Sequence, residues 1–154
     1  MSNTILFNSG NKPTLSEKKQ IVDFLFENLE KYTDPRSDIE KAIDYALQET
    51  PSFGGFVLAS YLENSLVGAV VINKTGMKDY IPENILVYIA IHQKHRGIGL
   101  GKNLMKEVIK LAEGSIALHV EPSNPAIHLY EKLGFSSKYL EMRYNKKNNG
   151  LRNI

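Results

Sequence analysis

The sequence predicts an α/β domain built on a mixed sheet, and three observations carry that prediction. Two segments near the N-terminus repeat their apolar residues with helical spacing. Two adjacent runs between residues 55 and 74 read as paired strands. From residue 85 onward, strand, glycine turn, helix, strand and helix alternate. At 154 residues and 42% hydrophobic the chain has enough apolar material for one core. No repeat or linker divides it, so residues 1–154 are expected to form a single domain, with about 145–154 a polar tail.

The elements follow in order. TILF (4–7) is a short first strand, and NSGNKPTLS is a turn-rich link to a helix. Ser16 is the expected N-cap, with Glu17 in the first turn. Ile21, Leu25 and Leu29 recur every fourth residue, predicting an amphipathic helix to about Lys31. After TDPRSD a second helix is expected from about Asp38 to Gln48, on Ile39, Ile43, Ala46 and Leu47. GFVLASYL (55–62) and SLVGAVVINK (65–74) flank Glu63 and Asn64, the spacing of a tight hairpin. ILVYIAI (85–91) is the most continuously apolar strand and is expected to be central. A helix over Lys102–Glu113 ends at Gly114, SIALHV (115–120) is the next strand, and Pro125–Leu133 is a short helix. Asn124 caps that helix and Gly134 closes it, before SKYLEMRYN supplies a closing strand or hairpin.

Composition removes several classes of function. A formal net charge of +2 is too mild for bulk attraction to nucleic acid. The absence of cysteine excludes disulfides, thiolate catalysis and thiolate metal sites. His92 and His95 are the only close histidines, and no carboxylate spacing completes a metal site around them. No run reaches the roughly 18 apolar residues of a membrane span, and the N-terminus lacks a signal-peptide core. A soluble cytoplasmic protein is therefore expected, with neither nucleic acid nor membrane as partner.

The stretch HRGIGLGKNL after the central strand carries the most chemical information. Gly97, Gly99 and Gly101 allow backbone amides to approach an anion, and the helix that follows adds its partial positive charge. A dinucleotide fingerprint fails, because Lys102 or Leu104 stands where its last glycine belongs. A Walker A loop fails as well, with Arg96 in place of the first glycine and Asn103 in place of the hydroxyl residue. What remains is Arg96-Gly97-Ile98-Gly99-Leu100-Gly101, of the form R-x-x-G-x-G.

That loop resembles the pyrophosphate loop of the GCN5-related N-acetyltransferase (GNAT) superfamily. A second block, Asn124 to Phe135, resembles the same superfamily's downstream N…Y…G-F signature. The likeness covers about residues 55–144. It implies a mostly antiparallel central sheet with helices on both faces and a splayed pair of parallel strands. The function implied is an acetyl-CoA-dependent N-acetyltransferase. Its acceptor would be a primary amine on a small molecule or peptide, attacking directly in a ternary complex. A catalytically weak acyl-CoA-binding module of the same fold is the alternative, and a homodimer is left open. By resemblance, backbone groups of Ile89 and Ile91 contact the pantetheine arm. The amides of Arg96, Gly97, Ile98, Gly99, Leu100, Gly101 and Lys102 hold the diphosphate. Lys94, His95 and Lys106 add positive charge, and Asn124 and Tyr130 also reach the cofactor.

The same likeness makes Tyr130 the general acid for the leaving thiolate. The base is open. An amine with pKa near 10.4 is neutral in only about one molecule in 2,500 at pH 7, so a proton acceptor is needed. Relatives often carry a carboxylate on the strand before the glycine loop, and ILVYIAI has none. Glu83, Tyr88 and His119 are the candidates, with His92 close by. A base relayed through water, or an amine arriving neutral, is equally open. The substrate is expected to lie against the N-terminal helices and the loop around residues 74–84. Asp34, Asp38 and Asp44 read first as solvated helix faces and caps.

Overall fold

The computed structural model describes residues 3–146, in two compact units, Met1–His119 and Val120–Ile154. The first unit holds a five-stranded sheet in the order β1-β2-β3-β4-β5, formed by Asn3–Phe7, Gly55–Leu62, Ser65–Lys74, Asn84–Ile91 and Ile116–Leu118. Every neighbouring pair is antiparallel except β4 and β5, which run parallel. This matches the expected mixed, mostly antiparallel sheet. Glu63 and Asn64 both take positive φ (50° and 67°), the left-handed pair that a two-residue hairpin requires.

Helices α1 (Leu15–Asn28) and α2 (Arg36–Leu47) cover one face of this sheet. Ile21, Val22, Phe24 and Leu25 of α1 and Ile39, Ile43, Ala46 and Leu47 of α2 pack onto Val57, Ala59, Ala69, Val71, Tyr88 and Ala90. Each such large aliphatic side chain, fully buried, contributes about 1.5–3 kcal/mol. Helix α3 (Leu100–Leu111) lies on the opposite face, where Leu104 sits over Gly68, and Leu104, Met105 and Val108 are buried. The alternate residues of β2 and β3, Leu58, Val70 and Ile72, turn toward that side.

Several boundaries differ from the sequence expectation. Helix α1 is capped by Thr14 rather than Ser16, because Thr14 places Glu17 at the third helical position and completes a reciprocal capping box. Helix α3 starts two residues early because Gly99, not Gly101, is its N-cap. Strand β5 keeps only three residues of the six expected. No strand forms over the described part of SKYLEMRYN, where Tyr139, Leu140 and Met142 are highly exposed. Residues 147–154 of the expected tail lie outside the described residues.

The second unit contains α4 (Ile127–Lys132). Helix α4 begins later than Pro125, because its first turn is closed by i to i+3 bonds from Ile127, His128 and Leu129. Its N-cap is Ala126 with no side-chain cap bond, and not the expected Asn124, whose Oδ1 instead accepts from the Ala126 amide at 3.0 Å in the turn before the helix. At the other end the Phe135 amide donates to Tyr130 O and the Gly134 amide to Glu131 O, with Gly134 at φ 101°. This is a Schellman cap, and the Phe135 ring returns onto Tyr130 at 5.9 Å between centroids.

Candidate functional site at the open end of β4

Strand β4 is paired on both sides for only part of its length. β5 meets it at Asn84, Ile85 and Leu86 and then ends, while β4 runs on to Ile91. Residues 87–91 therefore have β3 on one edge and, among the described residues, no strand on the other. The His92 amide donates to Val67 O of β3, so by strand alternation the Ile91 and Ile89 amides point to the open edge. Those are the two residues expected to offer backbone contacts. His119 follows the last residue of β5 and is exposed where the parallel pairing stops.

A β-bulge sits in the middle of this strand. Val71 pairs with Tyr88 while Ile72 pairs with Leu86, leaving Val87 as the extra residue. The bulge reverses the side-chain parity: Leu86 turns toward the α3 side, and Tyr88 and Ala90 turn toward α1 and α2. Simple period-2 counting along β4 misses this reversal.

The open edge leads into the glycine loop. Gly97 and Gly99 adopt φ of 79° and 85°, and a Cβ built on either would meet no protein atom within 4 Å. The glycines are required by backbone conformation and they leave open space beside the loop. Gly97, Ile98 and Gly99 donate to no backbone carbonyl, and the first bond of α3 runs from Asn103 to Gly99 O, so the amides of Leu100, Gly101 and Lys102 are also unspent. Lys94, Lys102 and Lys106 are exposed, with no carboxylate in ion-pair range among the described residues. Unspent amides, a helix N-terminus and free cations fit a diphosphate.

Arg96 departs from its expected place. Its amide is already directed at Gln93 O at 3.4 Å, and its guanidinium turns away from the glycines. Nε donates to Ile91 O at 2.9 Å, one terminal nitrogen to Glu30 at 2.6 Å, and the other to Asn28 O at 3.0 Å. Gln93 donates to the same Glu30 oxygen at 3.2 Å. The Arg96 hydrogen bond, followed by that from Gln93, holds the Glu30 carboxyl below its usual range.

Tyr88 is buried, and its hydroxyl donates to the exposed Asp34 carboxylate at 2.6 Å. Burial first and the Asp34 contact second push the phenol above its ordinary range, so Tyr88 keeps its proton and is a poor base. A carboxylate of the α1–α2 connection thus meets the open half of β4, which carries none of its own. Sequence spacing gave no sign of this pairing, since the two residues are 54 positions apart.

Glu83 lies at the other end. It precedes the first residue of β4, about 23 Å from Ile91 at the usual strand rise. Its carboxylate accepts from the Asp79 amide at 2.9 Å and the Ser115 amide at 2.7 Å, and these bonds lower its pKa. Such a group is a structural acceptor and a weak base. The loop around 74–84 shares that end, away from the glycine turn. Asp44 is paired with Lys18, and His92 Nδ1 accepts from the Lys94 amide at 3.1 Å.

One end of β4 therefore gathers Tyr88, Ile89, Ile91, His119 and the loop from Arg96 to Lys102, and excludes Glu83. In the second unit Tyr130 is buried, and burial raises its pKa, so its hydroxyl stays protonated. Asn124 lies in the turn leading into the same helix.

The sequence pattern of the acetyltransferase (GNAT) family matches residues 20–135. No curated protein matches the chain. Among solved structures, the chain is similar to a ribosomal-protein-alanine N-acetyltransferase from Brucella melitensis biovar Abortus 2308, at 17% identity and TM-score 0.64 over 94% of this chain and 99% of that one. It is also similar to a protein of Arabidopsis thaliana in complex with the bisubstrate analogue CoA-Ac-MVNAL, at 21% identity and TM-score 0.64, covering 86% and 83%. An aminoglycoside N-acetyltransferase in complex with CoA is a third, at 15% identity and TM-score 0.66, covering 96% and 95%. At these identities the likeness is one of fold.

Proposed function

Because the chain belongs to the acetyltransferase (GNAT) family, we propose that residues 1–154 make one acetyltransferase domain that moves the acetyl group of acetyl-CoA to a primary amine of a small molecule or peptide. The observation that carries this reading is the strand β4, with no strand on one edge over residues 87–91 among the described residues, and running into a loop of unspent amides. Amides of Gly97 to Lys102 hold the diphosphate, and backbone groups of Ile89 and Ile91 align the arm.

Acetyl-CoA, when bound, supplies an acyl thioester reactive toward amines. The chain supplies binding, orientation and proton handling. Asp34, oriented by the Tyr88 hydroxyl, takes the proton from the acceptor nitrogen. Tyr130 keeps its own proton through burial and holds it for the departing sulfur. Glu83 has no part in this scheme, and His119 remains at the mouth of the open edge as a second base.

Calorimetric titration with acetyl-CoA followed by an amine panel tests the reading. Absence of binding at about 1 mM, equivalent to only about −4 kcal/mol, overturns it. Tyr130→Phe is expected to slow turnover at least about tenfold with little change in cofactor affinity. Firm cofactor binding with no turnover on any amine favours the acyl-CoA-binding module instead.

A further inference from the structure

We propose that Arg96 is a positioning residue for the acceptor side of the site and not a ligand of the diphosphate. This rests on the acetyltransferase reading above. The segment between α1 and α2 is fastened to β4 at two points, both on its open half. Asp34 is held by Tyr88, and Glu30 is held by Arg96 and Gln93, just beyond the end of the strand. From Glu30 to Asp34 the segment runs through a short 3-10 turn, Glu30–Tyr32, and Thr33.

Three features make Arg96 the fastener. Its guanidinium has its donors engaged on three separate acceptors: Ile91 O at the end of β4, the last helical residue Asn28, and Glu30. Asn28 O is one of the carbonyls that a helix end leaves without an intrahelical partner, and a cation there also meets the negative end of the helix dipole. Glu30 itself has φ of 56°, a conformation that costs a non-glycine residue energy and persists only where its surroundings hold it. The planar fork of an arginine can serve three divergent acceptors at once, which a lysine ammonium on a flexible stem does less well.

The consequence is a division of labour inside R-x-x-G-x-G. The glycine amides stay unspent beside open space, while the arginine side chain is spent on Glu30 and Asn28 and sets the segment that carries Asp34. Cofactor loop and acceptor carboxylate then share one mechanical link.

The test uses the full chain with Glu30→Gln, Arg96→Gln and the double variant. Amide hydrogen exchange of residues 29–34 reads the fastening without any substrate. Acetyl-CoA affinity comes from calorimetry, and kcat and acceptor KM from the best amine. Both single variants are expected to speed exchange at 29–34 at least tenfold and to lower acceptor kcat/KM at least tenfold. Both should leave acetyl-CoA affinity within about twofold, and the double variant should be no worse than Arg96→Gln, since both changes cut the same link. Arg96→Lys should restore less than half of the lost kcat/KM. Loss of acetyl-CoA affinity in Arg96→Gln with no effect of Glu30→Gln would overturn the proposal and return Arg96 to the diphosphate. Unchanged exchange in both variants overturns it too. If the wild-type protein turns over no amine, the acetyltransferase reading fails, while exchange still decides whether Arg96 fastens the segment.

Discussion

The two ends of β4 obey opposite rules. At its start every polar group has a partner. The Asn84 side chain, 1% exposed, donates to Glu113 O and Ser115 O, the Asn84 amide donates to Ser115 O, and Glu83 accepts two amides. Gly114 is packed so tightly there that a Cβ would lie 2.2 Å from the Glu83 carboxylate. At the far end Ile89 and Ile91 face an empty edge, and Gly97 and Gly99 have empty space where a Cβ would go. Both ends use glycine at positive φ, for different physical ends. One lets chains approach closely, and the other keeps a surface vacant with its amides unspent. A saturated end stabilises the fold; an unsaturated end is available to a ligand.

Substitutions should separate the two. The largest effect is expected from Gly99→Glu, which places bulk and negative charge beside the unspent amides. Acetyl-CoA affinity should fall at least about 100-fold, while stability drops by only about 1–2 kcal/mol from the backbone conformation. Retained affinity would detach the glycine loop from the site. Gly114→Ala should do the reverse, costing about 2–3 kcal/mol in denaturant unfolding through the clash and the positive φ, with acetyl-CoA affinity of the folded protein unchanged.

Asp34→Asn sharpens the comparison within the open end. It should reduce kcat about tenfold or more and leave acetyl-CoA affinity unchanged if the carboxylate takes the acceptor's proton as proposed. Equal kcat would move the proton to His119 or to water. The smallest effect belongs to Glu83→Gln. The folded pKa of Glu83 is depressed, so its contribution to stability is full above the unfolded carboxylate value and is lost as pH falls through the lowered one. The variant should flatten the acid limb of the stability curve and leave turnover near pH 7 untouched.

Much of this was legible in residue order. The hairpin at Glu63–Asn64 and the strand before the glycine loop follow from period and turn chemistry. The Asn124 turn ahead of α4 and the helix's close at Gly134 are equally local. Thr14 was readable too, since T-x-x-E names a capping box that S-E does not. The GF of the downstream signature also has a local account, as a Schellman cap with its ring contact. Other features were not legible. Tyr88 and Ala90 share the α1 and α2 side because of one extra residue, and strand parity carries no mark of a bulge.

Local sequence by itself determined most of the elements, the glycine turn after β4, and the absence of a carboxylate on β4. These depend on dihedral preference, apolar period and the spacing of neighbours, all of which act over a few residues. Only tertiary structure decided that Glu83 is spent on two amides, that Arg96 turns from the glycines to Glu30 and Asn28, and that Asp34 meets Tyr88. Those contacts join residues between 4 and 68 positions apart, and the partner a charged side chain finds is set by which chain segments the packed sheet brings within 3 Å of it.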